Sequence, residues 1–156
     1  MQKVFLAADH AGFDVKAKIA AYLTELAYDV KDFGAYAYRL EDDYPDFVTP
    51  CAQAVASTFD ARGIIFGGSG QGEAMCANRI PGVRAAVFYG ASPHLQTDAL
   101  GNVLDMITSA REHNNANVLA IGARFLSEQE IKRAVQLFLS TPFSEVPRHV
   151  RRLAKF

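Results

Sequence analysis

The chain has 156 residues, of which 50% are hydrophobic and 21% charged, and its formal net charge is −1 at pH 7. That is the composition of one ordinary globular domain, expected over residues 1–156, with no global field for DNA, RNA or an anionic membrane. Attraction for an anionic ligand must therefore be local. Cys51 and Cys76 match no CxxC or zinc spacing and read as buried free thiols in helical stretches. The N-terminal apolar run is too short for a signal peptide and no stretch approaches a membrane span, so a cytoplasmic protein is expected.

Short apolar runs alternate with helical periodicity along the chain. Val4 to Ala8 reads as a buried first strand. From Gly12, the spacing of Val15, Ile19, Leu23 and Leu26 predicts a helix, with Lys16 and Lys18 on its solvent side. A short strand around Val30 precedes an acidic loop, Tyr38 to Asp46, closed by Pro45. Phe47 to Ala56 is the next helix, with Pro50 in its first turn. Gly63 to Phe66 is a strand that runs into a glycine cluster, and a helical segment, Glu73 to Asn78, follows. Ala85 to Phe88 and Val118 to Ile121 are two further strands, and Ser127-Glu128-Gln129-Glu130 has the form of a capping box opening a helix to about Leu139. A basic helix over about 144–155 ends the chain. Near-continuous apolar strands alternating with helices predict a mostly parallel five-stranded sheet in a three-layer α/β/α sandwich, with ligand at the carboxyl ends of the strands.

The stretch Gly67-Gly68-Ser69-Gly70-Gln71-Gly72-Glu73 carries the most chemistry. Its glycines let the backbone turn sharply with N–H groups inward, and the following helix start adds further unpaired N–H groups. Three familiar readings fail on the letters. A P-loop needs lysine after the final glycine, where this chain has Glu73. The dinucleotide pattern G-x-G-x-x-G would put its third glycine at Glu73 or Met75, and the hydrolase pattern G-x-S-x-G would put its last glycine at Gln71. What remains is an oxyanion loop beside a carboxylate, an arrangement suited to removing a carbon-bound proton next to a carbonyl. The helix N-terminus would lower the pKa of Glu73 and burial would raise it; the letters leave that balance open.

Three more groups are candidates. Asp9-His10 ends the first strand on the same rim, as a ligand contact or as an N-cap with a neighbouring histidine. Arg111 to Asn115, which contains His113 and Asn114, is a site loop or a plain polar loop. Arg148 and Arg152 are four apart and share a helical face, as a phosphate clamp or as a solvated basic tail. Arg124, after the last strand, joins them; His94 reads as exposed.

Taken together, the segments at 8–12, 42–47, 63–85, 111–125 and 142–152 resemble the type B ribose-5-phosphate isomerases, a family that includes the galactose-6-phosphate isomerase subunits. The resemblance implies a Rossmann-like fold, a homodimer or dimer of dimers with shared active sites, and no metal or organic cofactor. It implies that Asp9 and His113 open the furanose ring and that Glu73 shuttles the proton. Ser69 and the N–H groups of Gly70 to Glu73 would cradle the enediolate, with Gly68, Gly70, Gln71 and Gly72 among the substrate contacts. His10, Arg124, Arg148 and Arg152 would hold phosphate, the last two from the partner chain through the C-terminal helix, and Tyr44 and Asn114 would contact sugar. Many members use a cysteine where this chain has Gly67, so the likeness is to a subgroup with glutamate at position 73 as base. This chain is also longer between Phe88 and Arg111, where Leu100, Val103, Leu104 and Ile107 give 96–106 helical periodicity.

The resulting expectation is interconversion of ribose 5-phosphate and ribulose 5-phosphate. The alternatives are a six-carbon sugar phosphate such as allose or galactose 6-phosphate, or a non-catalytic sugar-phosphate or nucleotide sensor. A nucleic-acid binder is disfavoured by net charge and by the lack of a basic stripe with interleaved aromatics.

Overall fold

The computed structural model describes residues 1–98 and 100–155. Residue 99, inside the 96–106 segment, and residue 156, at the end of the expected domain, lie outside the described residues. Five strands, β1 (Lys3–Ala8), β2 (Asp29–Asp32), β3 (Arg62–Gly67), β4 (Ala85–Phe88) and β5 (Val118–Gly122), form one sheet in the order β2-β1-β3-β5-β4. Every pairing within it is parallel. The helices are α1 (Phe13–Glu25), α2 (Pro45–Ser57), α3 (Gln71–Ala77), α4 (Met106–Asn114), α5 (Glu128–Ser140) and α6 (Pro147–Leu153).

Period-two alternation explains the layers. Val4, Leu6 and Ala8, with Ile64, Phe66, Leu119 and Ile121, pack on one face against Ile19 and Leu23 of α1, Ile107 of α4, and Ile131 and Phe138 of α5. Their neighbours Phe5, Ala7, Ile65, Val118 and Ala120 pack on the other face against Val48 and Cys51 of α2 and Ala74 and Ala77 of α3. Both faces are covered, so the strands read as continuous apolar runs. The expected α/β/α sandwich is therefore present, with an all-parallel sheet. Among the described residues no helix is long and apolar enough to cross a membrane.

Several local expectations are corrected. Leu100 to Asp105 do not form a helix; an antiparallel bridge joins Thr97 to Val103 there. Asp98 takes over the backbone there: its Oδ1 accepts from the N–H of Leu100 at 2.8 Å and of Asn102 at 2.9 Å. The helix begins only at Met106, where the Asp105 side chain accepts from the N–H of Ile107 and Thr108, and it continues through Arg111 to Asn114, the stretch expected as a polar loop. Asn115 ends it in the left-handed region at φ 44°. Lys16 is buried rather than solvated: its Nζ bonds both Asp32 oxygens at 2.6 Å and the Ala35 carbonyl at 2.8 Å, so its charge is fully partnered. Helix α2 starts at Pro45, whose fixed φ suits a first helical position, which leaves Pro50 in the helix interior. Helix α3 starts at Gln71, earlier than expected, and α6 is shorter than 144–155, beginning at Pro147.

Candidate active site

Strands β1 and β3 lie side by side, but the chain leaves them towards opposite edges of the sheet, with β2 beyond β1 and β5 and β4 beyond β3. A crevice opens at such a switch point, beyond the carboxyl ends of the two strands. It is a cavity of about 490 Å³ lined by Asp9, His10, Tyr44, Gly68, Ser69, Gly72, Glu73, Arg124 and Phe125. Strand β1 delivers Asp9 and His10; β3 and the start of α3 deliver the glycine loop; the start of α2 delivers Tyr44. The turn after β5 delivers Arg124, tied to the loop by its own N–H to the Gly68 carbonyl at 3.2 Å.

Glu73 sits in the first turn of α3 and is 4% exposed. Burial raises its pKa and the charge of Asp9 adds to the rise, while its own backbone N–H pulls the other way; the net shift is upward from the ordinary 4.5. Burial thus outweighs the pull of the Glu73 backbone N–H. The position of the carboxyl depends on Gly67, because a Cβ there would overlap it. Gly70 turns the loop into the helix at φ 77°, a region glycine enters without strain. The first turn of α3 leaves backbone N–H groups without helical acceptors, and the Gln71 N–H reaches Ser69 Oγ at 3.4 Å.

Asp9 does not cap α1, whose N-cap is Gly12 with no side-chain bond. It is buried, and its Oδ1 accepts from the Ala11 N–H at 2.9 Å. His10 is fixed by Asp42, whose Oδ1 lies 2.7 Å from Nδ1 and accepts from the His10 N–H at 3.0 Å. Asp42 belongs to the acidic 38–46 loop and was not singled out from the letters, since only the fold brings it to the rim. Asp9, His10 and Asp42 each bring a ligand atom within 4.8 Å of the others, a grouping that could hold a cation. Neither thiol takes part. Cys51 is buried with its pKa pushed up to about 12 by desolvation, and Cys76, half-buried, lies 3.5 Å from Thr49 Oγ1.

The remaining candidates stand elsewhere in this chain. His113 on α4 packs against His149 on α6, with ring centroids 4.4 Å apart, beside Arg148. Asn114 lines a separate cavity of about 450 Å³ with Asn78, Arg84 and Ala116. Arg152 is exposed on α6, and Gln71 is exposed at the start of α3 outside the pocket lining. His94 is exposed, as expected. The site set thus divides into a rim pocket and an α4/α6 cluster. His149, given no role in the sequence analysis, is the buried centre of that cluster.

Comparison with known proteins gives the same frame. The profile of the family described as Ribose/Galactose Isomerase matches residues 4–156. Ribose-5-phosphate isomerase B of Mycolicibacterium paratuberculosis is 39% identical over 151 residues, covering 97% of this chain and 87% of that protein. The crystal structure of ribose-5-phosphate isomerase B from Mycoplasma genitalium with bound ribulose-5-phosphate superposes with a TM-score of 0.84 at 33% identity, over 98% of this chain and 92% of that one. The Thermotoga maritima ribose 5-phosphate isomerase structure gives 0.84 at 36% identity, over 99% and 96%. The chain belongs to the ribose/galactose isomerase family.

Proposed function

We propose that this chain interconverts ribose 5-phosphate and ribulose 5-phosphate, with Glu73 as the base. One observation carries the reading: a buried carboxyl with a raised pKa stands at the lip of a glycine loop in a pocket open enough for a small sugar. In this reading Glu73 takes the C2 proton of the open-chain aldose, and the electron pair moves towards O1. The loop N–H groups and Ser69 hold the charge of the enediolate. The hydroxyl proton passes from O2 to O1, the C2 carbonyl forms, and Glu73 returns its proton to C1. No metal or organic cofactor has a part in this sequence. The raised pKa brings Glu73 nearer to the operating pH, where a residue that must both accept and return a proton works best.

Asp9 and His113 open the ring, Tyr44 and Asn114 contact the sugar, and His10, Arg124, Arg148 and Arg152 hold the phosphate. Because His113, Asn114 and the two α6 arginines lie outside the rim pocket of their own chain, the reading has a second copy supply them, in a homodimer with shared sites. A fully active monomer in light scattering would overturn that arrangement. Helix α6 is then the end of a single sugar-phosphate isomerase domain that serves its partner.

The test is a coupled assay of purified protein on pentose and hexose 6-phosphates in turn. Turnover of ribose 5-phosphate, lost in Glu73→Gln, is expected. Turnover of a hexose 6-phosphate alone would move the substrate to six carbons, and sugar-phosphate binding with no turnover of any would make the chain a sensor.

A further inference from the structure

His149 is one of the few buried polar side chains, and the proton-transfer scheme gives it nothing to do. Its surroundings are nevertheless fully determined. Arg148 Nε donates to His149 Nε2 at 3.1 Å. A guanidinium nitrogen can only donate, so Nε2 must present a lone pair. The ring proton is then on Nδ1, which lies 3.0 Å from Ser144 Oγ. Ser144 in turn gives its own hydroxyl proton to the Glu112 carbonyl at 2.6 Å. A chain of three hydrogen bonds, all pointing one way, therefore runs from Arg148 through His149 and Ser144 to the end of α4.

That chain holds Arg148 by its inner nitrogen. Arg148 is half-buried, and among the described residues its two terminal nitrogens meet no acceptor, which leaves both with donors for a bidentate contact with a phosphate. The His149 ring also packs against the His113 ring, with centroids 4.4 Å apart. We propose that His149 is a positioning residue for substrate phosphate, acting through Arg148: it accepts the inner N–H and so aims the guanidinium fork. The proposal rests on the reading of Arg148 as a phosphate ligand.

The groups facing His149 favour the neutral ring this needs. Arg148 and Arg152 of its own helix are cationic, His113 faces it from α4, and no carboxylate among the described residues pairs with it. Desolvation and these charges lower its pKa below 6.5, against the Glu112 backbone, which favours the proton. Asp98, next to the Thr97–Val103 bridge and half-buried, lies near enough for the Arg148 charge to help lower its own pKa, after its hydrogen bonds from Asn102. A protonated His149 would set an N–H against the Arg148 N–H and release the arginine.

The experiment is a KM and kcat cycle on the ribose 5-phosphate reaction with His149→Phe, Arg148→Ala and the double variant. Phenylalanine keeps an aromatic face on His113 but accepts nothing. KM should rise about tenfold in His149→Phe with kcat changed little, as expected for loss of one charge-assisted hydrogen bond. That rise should vanish when Arg148 is already alanine. The KM gap between wild type and His149→Phe should also close as the pH is lowered through the histidine's depressed pKa. A full additional rise on top of Arg148→Ala, an unchanged KM in His149→Phe, or a gap independent of pH would each overturn the proposal. If Arg148→Ala itself leaves KM unchanged, the phosphate reading of Arg148 falls first; if it raises KM and His149→Phe does not, only the positioning role falls. Should His149→Phe not fold, Ser144→Ala on an exposed residue reads the same coupling: a KM rise of about twofold to threefold, absent in the Arg148→Ala background.

Discussion

The rim pocket and the α4/α6 cluster are built by different means. The pocket is made by backbone: strand ends β1 and β3 set Asp9 and the glycine loop, and the space for the Glu73 carboxyl exists because residue 67 has no side chain. The cluster is made mainly by side chains, a one-directional series of hydrogen bonds that runs from α6 through Ser144 of the connecting segment to the Glu112 carbonyl of α4. Proton transfer tolerates little displacement of the reacting groups, whereas a phosphate two charges strong tolerates more. On the proposed reading, the rigid element carries the base and the adjustable one carries the anion grip.

That contrast can be broken most severely at Glu73. Glu73→Gln should lower kcat about a thousandfold while phosphate competition is kept. The raised pKa fixes two signs. In wild type kcat/KM should climb from the acid side at a pH above 4.5, the ordinary glutamate value, as the base ionises. The folded chain also holds a proton that the unfolded chain has released, so this residue's contribution to stability is lost as pH rises from 4.5 through the raised value. Glu73→Gln should therefore melt no lower than wild type at neutral pH, and somewhat higher if the carboxylate is the burden inferred here; a large drop would break the account of its burial.

Gly67→Ala is next. The three atoms nearest its Cβ would all belong to the Glu73 carboxyl, so it would push that group aside, and a displacement of that kind should lower kcat about a hundredfold with KM changed little. Arg148→Ala should do the reverse, raising KM about tenfold and weakening competition by inorganic phosphate, with kcat nearly kept. If both variants lowered kcat alike, the division of labour would be wrong. The smallest effect is expected at Asp105→Ala, which removes the cap of α4 and should lower stability by about 1 kcal/mol in a denaturant melt.

Sequence reading worked where one physical signal dominated. Strands β1, β3 and β5 are apolar at nearly every position, and the glycine loop excluded its rivals letter by letter. It failed where periodicity had no core to face. Leu100 and Val103 fall at helical spacing but are 76% and 67% exposed, and the Asp98 side chain holds that backbone in a turn. Helix α4 was hidden for the opposite reason. Its buried face includes Arg111, satisfied by the carbonyls of Thr141 and Ala116 and the side chain of Asn115, and such a residue reads as solvent-facing. Lys16 misled in the same way. The candidate site residues were named by type, but their division into two groups depends on which sheet edge or helix each reaches, and that has no trace in linear spacing.

The overlap between residue 67 and the Glu73 carboxyl has a consequence for how such enzymes change over time. A side chain at 67 and the carboxylate at 73 would be rival tenants of a single volume, so, on the proposed reading of Glu73 as base, a thiol base at 67 and this one cannot be stacked and then pared down. Lineages moving between them must cross a chain that is either vacant at both positions or overfilled, and neither form performs the reaction well. Relatives of this chain should therefore fall into two sharply separated groups, with few intermediates.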